Sequence, residues 1–196
     1  MNTRRCEHCR EHLGARHAHN ARFCSGRCRT AAHRAARTLP KELTSRDRWV
    51  RHSARKVPLT VDGRAASSTD PRSWSTYREA ARSTAGAGLG FVLDGDGIVC
   101  LDLDHVVRPD GSLVGWAAEL LAGLPPTYIE VSPSGTGLHV FGFGRLPGRG
   151  RRWARGEGTG LEVYADGRFV TVTGARWADS PARLSDLSTV IAALGC

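Results

Sequence analysis

Between residues 98 and 174 the chain carries three polar signatures, each inside a short apolar run, and their order constrains the fold more than any other feature. They read Asp102-Leu-Asp104-His105, then Ser132-Pro-Ser-Gly-Thr-Gly-Leu-His139, then Leu161-Glu162-Val163-Tyr164 followed by Arg168-Phe-Val-Thr-Val-Thr-Gly174. Apolar runs this short, bounded by glycine and polar turns, suit β-strands. Side chains alternate faces along a strand, so Asp102 and Asp104 share one face while Leu101 and Leu103 turn to the core. Strands over 98–104, 138–143 and 161–164 would bring three carboxylates and one histidine onto a single sheet.

Two carboxylates side by side repel unless a cation neutralises them. All-oxygen donors suit Mg2+ or Mn2+, which keep several waters and complete their shells with substrate phosphates. Glu162, on a later strand, can close the shell. Glycines in Ser134-Gly135-Thr136-Gly137 let backbone N–H groups approach an anion, and His139 then opens the next strand, placed to contact phosphate. The outline is a two-metal phosphoryl-transfer site. Taken singly, each motif also has a structural reading: an Asp-x-Asp at a strand end, a hairpin turn, a core or surface histidine, a solvent-facing glutamate.

At these residues the chain resembles the archaeo-eukaryotic primase superfamily, most closely the bifunctional primase-polymerase domains at the N-termini of phage and plasmid replication proteins. That pattern has an Asp-x-Asp strand, a glycine-bearing Ser-x-x-x-x-His element, and a third-strand carboxylate followed by Gly-Arg-Phe/Tyr-x-x-x-Thr-Gly, here Gly167 to Gly174. Trp74 and Tyr77 on a helix and Gly88-Leu-Gly90-Phe-Val-Leu leading into the Asp-x-Asp strand also fit, so the likeness covers roughly residues 47 to 177.

The resemblance implies an α+β core with a mixed, largely antiparallel sheet and flanking helices. It implies metal ligation by Asp102, Asp104 and Glu162, nucleotide contacts from Ser134, Gly135, Gly137 and His139, and a basic contact from Arg168. The implied reaction is DNA-templated nucleotidyl transfer from nucleoside triphosphates with release of pyrophosphate, with a replicative helicase supplied separately. Thr136 departs from the pattern, standing where related enzymes often carry Arg or Lys. Two other classes stay open: a DNA-binding replication accessory that keeps the fold without catalysis, and a two-metal nuclease or phosphoesterase.

The N-terminal end reads differently. Cys6-x-x-Cys9 and Cys24-x-x-x-Cys28 have the spacing of a closed tetrahedral Zn2+ site. Ser25 can cap a helix running to Arg37 that holds Cys28 in its first turn, and the arrangement resembles treble-clef fingers of the Phe-Cys-Ser-x-x-Cys kind. His17 and His19 are read as loop residues. Net charge is +9, and residues 1–47 hold 11 Lys/Arg against 4 Asp/Glu, which points to a nucleic-acid partner. A basic loop over 145–158, with five arginines and Trp153, suits phosphate backbone and base stacking.

The expected organisation is a four-cysteine zinc finger over 1–37, a linker over 38–46 and a catalytic core over 47–196. Core strands are expected over 56–60, 90–93, 98–104, 128–132, 138–143, 161–164 and 168–173. Helices are expected through Trp74, over 115–121 and over 184–194. Cys100 is read as a small buried residue, and Cys196 is given no role. No apolar run approaches the ~20 residues that span a bilayer, and the first residues lack the apolar stretch of a secretory signal. A cytoplasmic location with reduced thiols is the expectation.

Overall fold

The computed structural model describes residues 4–9, 11–36, 38–148 and 150–195, apart from the side chains of 33–36. Arg37, Arg149 and Cys196, read in the sequence, lie outside them. The chain divides into two compact units between Thr38 and Leu39.

In the first unit, an Arg5–His12 bridge folds a knuckle and α1 (Gly26–Ala36) follows. As the sequence predicts, Ser25 caps this helix, its Oγ accepting the Cys28 N–H at 3.2 Å. Apolar burial is slight, Cys6 and Leu13 being its buried hydrophobic residues among those described.

The second unit opens with α2 (Lys41–Thr44), β1 (Trp49–His52), β2 (Pro58–Leu59), α3 (Tyr77–Arg82), β3 (Gly88–Asp94) and β4 (Ile98–Asp104). It continues through α4 (Gly115–Ala122), β5 (Ile129–Val131), β6 (Leu138–Phe143), β7 (Gly150–Ala154), β8 (Gly160–Tyr164), β9 (Asp166–Val172) and α5 (Ser188–Ala193). The strands form two sheets, in the orders β2-β1-β3-β9 and β5-β6-β4-β8-β7, and every pairing within them is antiparallel.

Alternation along the strands builds two apolar layers. Trp49, Phe91, Leu93 and Val170 of the first sheet pack against Ile98, Cys100 and Phe141 of the second. On the opposite face of the five-stranded sheet, Val99, Leu101, Leu103, Val140 and Val163 pack against Ala117 of α4 and Ile191 of α5. Cys100 is fully buried, as expected. The face that carries Asp102 is therefore the inter-sheet face.

Three segments differ from the sequence reading. Residues 39–46, read as linker, belong to the second unit: Leu39 and Leu43 are in its core, and the Leu43 carbonyl accepts the Trp49 indole N–H at 3.1 Å. α3 begins at Tyr77, past Trp74, because Thr76 and Glu79 form a reciprocal capping box. The basic stretch read as a loop holds β7, which pairs along the whole of β8.

Candidate active site

Register lines up one side chain from each strand of the larger sheet. Glu130 stands opposite His139, His139 opposite Asp102, Asp102 opposite Glu162, and Glu162 opposite Arg152. Residues directly opposite share a face, so the row Glu130–His139–Asp102–Glu162–Arg152 crosses all five strands. Asp104 lies on the same face, opposite Gly160.

The contacts along the row are specific. His139, 3% exposed, has Nδ1 3.2 Å from Glu130 Oε1 and Nε2 3.7 Å from Asp102 Oδ1. Glu162 is buried, with Oε1 bonded to Arg152 Nε at 2.8 Å and Oε2 accepting the Tyr164 hydroxyl. Burial raises the Asp102 carboxyl above its usual range, with Asp104 and Glu162 pushing the same way and His139 and Lys56 opposing. No ion pair or hydrogen bond engages the Asp104 side chain among the described residues.

The carboxylate oxygens of Asp102 and Asp104 are hard donors, and burial disfavours the negative charge of Asp102. That fits a hard divalent cation. Glu162 offers a third such oxygen, currently held by Arg152 and Tyr164. The three carboxylates share a face without converging as tightly as the cysteines do. Among the described residues the set of ligand atoms lying within 4.8 Å of one another is that of Cys6, Cys9, Cys24 and Cys28.

A cavity of about 430 Å3 opens between the sheets over Asp102 and His139, walled by Tyr164 and by Arg168 and Phe169 of β9. Arg168 stacks on Tyr164, its guanidinium carbon 4.5 Å from the ring centre. Lys56 also lines the cavity and escaped the sequence reading. It is one of two lysines in a chain otherwise basic through arginine. It also holds a left-handed φ of 57°, which a side-chain-bearing residue adopts at a cost. In the sequence the available signal was the scarcity of lysine. His105, at the end of the Asp-x-Asp strand, has a similar φ of 56°.

Ser134, Gly135 and Gly137 lie outside this lining. They form the β5–β6 turn, in which the Gly135 N–H returns to the Ser132 carbonyl at 3.0 Å and the Thr136 N–H bonds Ser134 Oγ at 3.3 Å. Those two amides are thus engaged within the turn. A Cβ at Gly137 would sit 2.8 Å from the Leu103 carbonyl, so the turn packs too closely on β4 for another residue.

Glu130 is the other residue that the sequence reading missed. Fully buried, it accepts from Tyr128 OH at 2.9 Å, Thr173 N at 3.1 Å and Gly174 N at 2.9 Å, besides facing His139.

In the first unit, the four cysteine sulfurs gather as the spacing predicts, Cys24 lying 3.5 Å from Cys9 and 3.4 Å from Cys28. Against the burial that disfavours its charge, backbone N–H groups hold the Cys6 thiol down at about 6. Sharing with Cys28 and Cys9 pushes Cys24 up to about 12. Four sulfurs at these separations can hold one metal ion. His17 stays a loop residue, Nδ1 lying 3.3 Å from the Gly14 carbonyl.

A family model described as "Bifunctional DNA primase/polymerase, N-terminal" matches residues 29–193. The DNA primase-polymerase of Nitratiruptor phage NrS-1 is 41% identical over 133 residues, covering 64% of this chain. The match spans 18% of that relative's length.

Proposed function

This chain belongs to the bifunctional DNA primase/polymerase N-terminal family, and on that premise we propose that it carries out DNA-templated nucleotidyl transfer. A 3′-hydroxyl attacks the α-phosphorus of a nucleoside triphosphate, and pyrophosphate leaves. One observation carries the reading. Asp102 and Asp104 present paired carboxylates without a full countercharge beside a cavity lined by Lys56, His139 and Arg168.

Asp102, Asp104 and Glu162 would hold Mg2+ or Mn2+, which when bound aligns hydroxyl and triphosphate and offsets the developing charge. Lys56 and Arg168 neutralise the triphosphate from the β1–β2 hairpin and β9. His139 adds an imidazole nitrogen at the cavity floor. Ser134, Gly135 and Gly137 serve as the turn that seats the His139 strand. The edge strand β7 offers Arg151 and Arg152 to a nucleic-acid backbone, with Arg151 over Trp153 at 5.6 Å and Arg155 over Trp116 at 5.7 Å. The cysteine quartet holds Zn2+ structurally. No helix among the described residues is long and apolar enough to cross a membrane.

The test is incorporation on a primed DNA template with Mg2+ or Mn2+, comparing wild type with Asp102→Ala. The expected result is metal-dependent extension that falls by at least about 10³-fold in the variant. Wild-type protein that binds DNA but extends nothing with either metal supports the accessory reading. Shortening of DNA without nucleotides supports the nuclease.

A further inference from the structure

Glu130 has no part in the metal, nucleotide or template roles above, yet it is the most completely engaged carboxylate in the second unit. Its two oxygens accept from the Tyr128 hydroxyl and the Thr173 and Gly174 amides, and Oε1 also faces His139 Nδ1. A carboxylate offers about four acceptor sites, so the set is saturated. These partners come from both sheets: His139 is on β6 of the five-stranded sheet, and Thr173 and Gly174 follow directly on β9 of the four-stranded one.

An imidazole that donates from Nδ1 has its tautomer chosen by the acceptor, which leaves the other nitrogen for the task at hand. Here that nitrogen, Nε2, points along the row toward Asp102 at 3.7 Å, and His139 forms part of the cavity floor. A fully buried acceptor at 0% exposure offers His139 no competing water on that side.

We propose that Glu130 is a positioning residue for His139: it keeps the proton on Nδ1 and turns Nε2 into the nucleotide cavity, while the Thr173–Gly174 amides hold Glu130 itself in place. The proposal rests on the polymerase reading only for the identity of what Nε2 meets, a hydroxyl of the incoming nucleotide, because an unprotonated ring nitrogen accepts a hydrogen bond and a phosphate oxygen has none to donate.

The first readout is 15N NMR of the histidines in the intact, metal-free protein, with His139 assigned by comparison with His139→Ala. The expected result is a protonated Nδ1. An unprotonated Nδ1 at His139 overturns the proposal. No substrate is present, so a wild type that extends nothing, which would defeat the polymerase reading, leaves this readout intact.

The second readout is the nucleotide concentration for half-maximal incorporation. Glu130→Gln places an amide N–H2 against His139 Nδ1 and reverses the tautomer. It should raise that concentration about 10- to 100-fold, the scale on which outer partners of functional histidines act, with a smaller change in kcat. The double variant Glu130→Gln/His139→Ala should be no worse than His139→Ala alone. Multiplication of the two defects would mean that Glu130 acts independently of the histidine, and would overturn the proposal. Tyr128→Phe, which removes one donor to Glu130 without touching His139, controls for lost folding and should lower stability while leaving the nucleotide dependence in place.

Discussion

Two aspartate pairs stand eight residues apart in the same sheet system, and the protein treats them in opposite ways. Asp94, the last residue of β3, and Asp96, in the turn that follows, are neutralised from within. The Arg48 guanidinium forks onto both, reaching Asp96 at 2.9 Å, and Arg46 pairs with Asp96 as well. Arg48 is itself buried and stacks on Phe91 at 4.9 Å. Asp102 and Asp104, at the far end of β4, receive no arginine. Asp102 has His139 at 3.7 Å, and its charge is held at a disadvantage by burial and by Asp104 and Glu162. The chain thus pairs an arginine directly with the structural carboxylates, and leaves Asp102 and Asp104 without a direct arginine or lysine partner at the edge of a cavity that Asp102 lines. A pair of acidic residues becomes informative through what is missing beside it.

Exchanging the roles of the two pairs is the sharpest way to break this contrast. Asp102→Asn should abolish metal-dependent incorporation by about 10³-fold or more, yet in EDTA it should melt at the same temperature or about 2–4 °C higher, since it removes a disfavoured charge. Asp94→Asn should do the reverse, losing stability and keeping turnover per folded molecule. Thermal melts beside primer-extension rates check both. An Asp102→Asn protein that melts lower in EDTA would mean that its carboxylate is structural too.

The cysteine quartet extends the comparison to a second place whose donors suit a cation. Purified, reduced wild type should carry one zinc per chain, and Cys24→Ser should carry none while the melting of the second unit is unchanged. Metal analysis with calorimetry reads both quantities. Zinc-free wild type would remove the first unit from the comparison.

Arg48→Met tests the internally neutralised pair. Removing a buried cation from two carboxylates should cost about 2–3 kcal/mol, somewhat below the figure for fully buried pairs because Asp94 and Asp96 remain partly in water. Urea unfolding measures this. A smaller effect than that of Arg152→Ala would invert the distinction.

Arg152→Ala should give the smallest change. Its side chain is 75% exposed, so stability should shift by less than about 1 kcal/mol. Glu162 would lose a competitor, and the Mg2+ or Mn2+ concentration for half-maximal activity should fall about 2- to 5-fold in a metal titration.

What could be read from sequence follows the same physics. β4 and β6 fall at their expected bounds because both faces of each are apolar except where the site interrupts them. β7 was not legible. Gly-Arg-Arg-Trp-Ala has no alternation, its residues are mostly exposed, and its strand conformation comes from pairing with β8. The carboxylates of the site stood out as pairs in apolar runs. Glu130 did not, because a lone acid between Ile129 and Val131 reads as the solvent face of a half-buried strand. That reading fails once a second sheet covers the face, which is a fact about residues some 40 positions away. Lys56 is similar: its place in the cavity depends on a hairpin laid against β3, and only the scarcity of lysine sets it apart in the sequence.

The five-residue row across the larger sheet has a consequence for how the protein can be wrong. Side chains alternate with a period of two, so a slip of one residue between β4 and β6 would move His139 to the helix-covered face and bring Leu138 or Val140 into the cavity. The same slip would turn fully buried apolar side chains, each contributing roughly 1.5–3 kcal/mol, out of the layer under α4 and α5. Mispairing therefore cannot yield a stable but inactive impostor. The hydrophobic layer on one side audits the chemistry on the other, and a molecule that survives folding has its reactive groups in line.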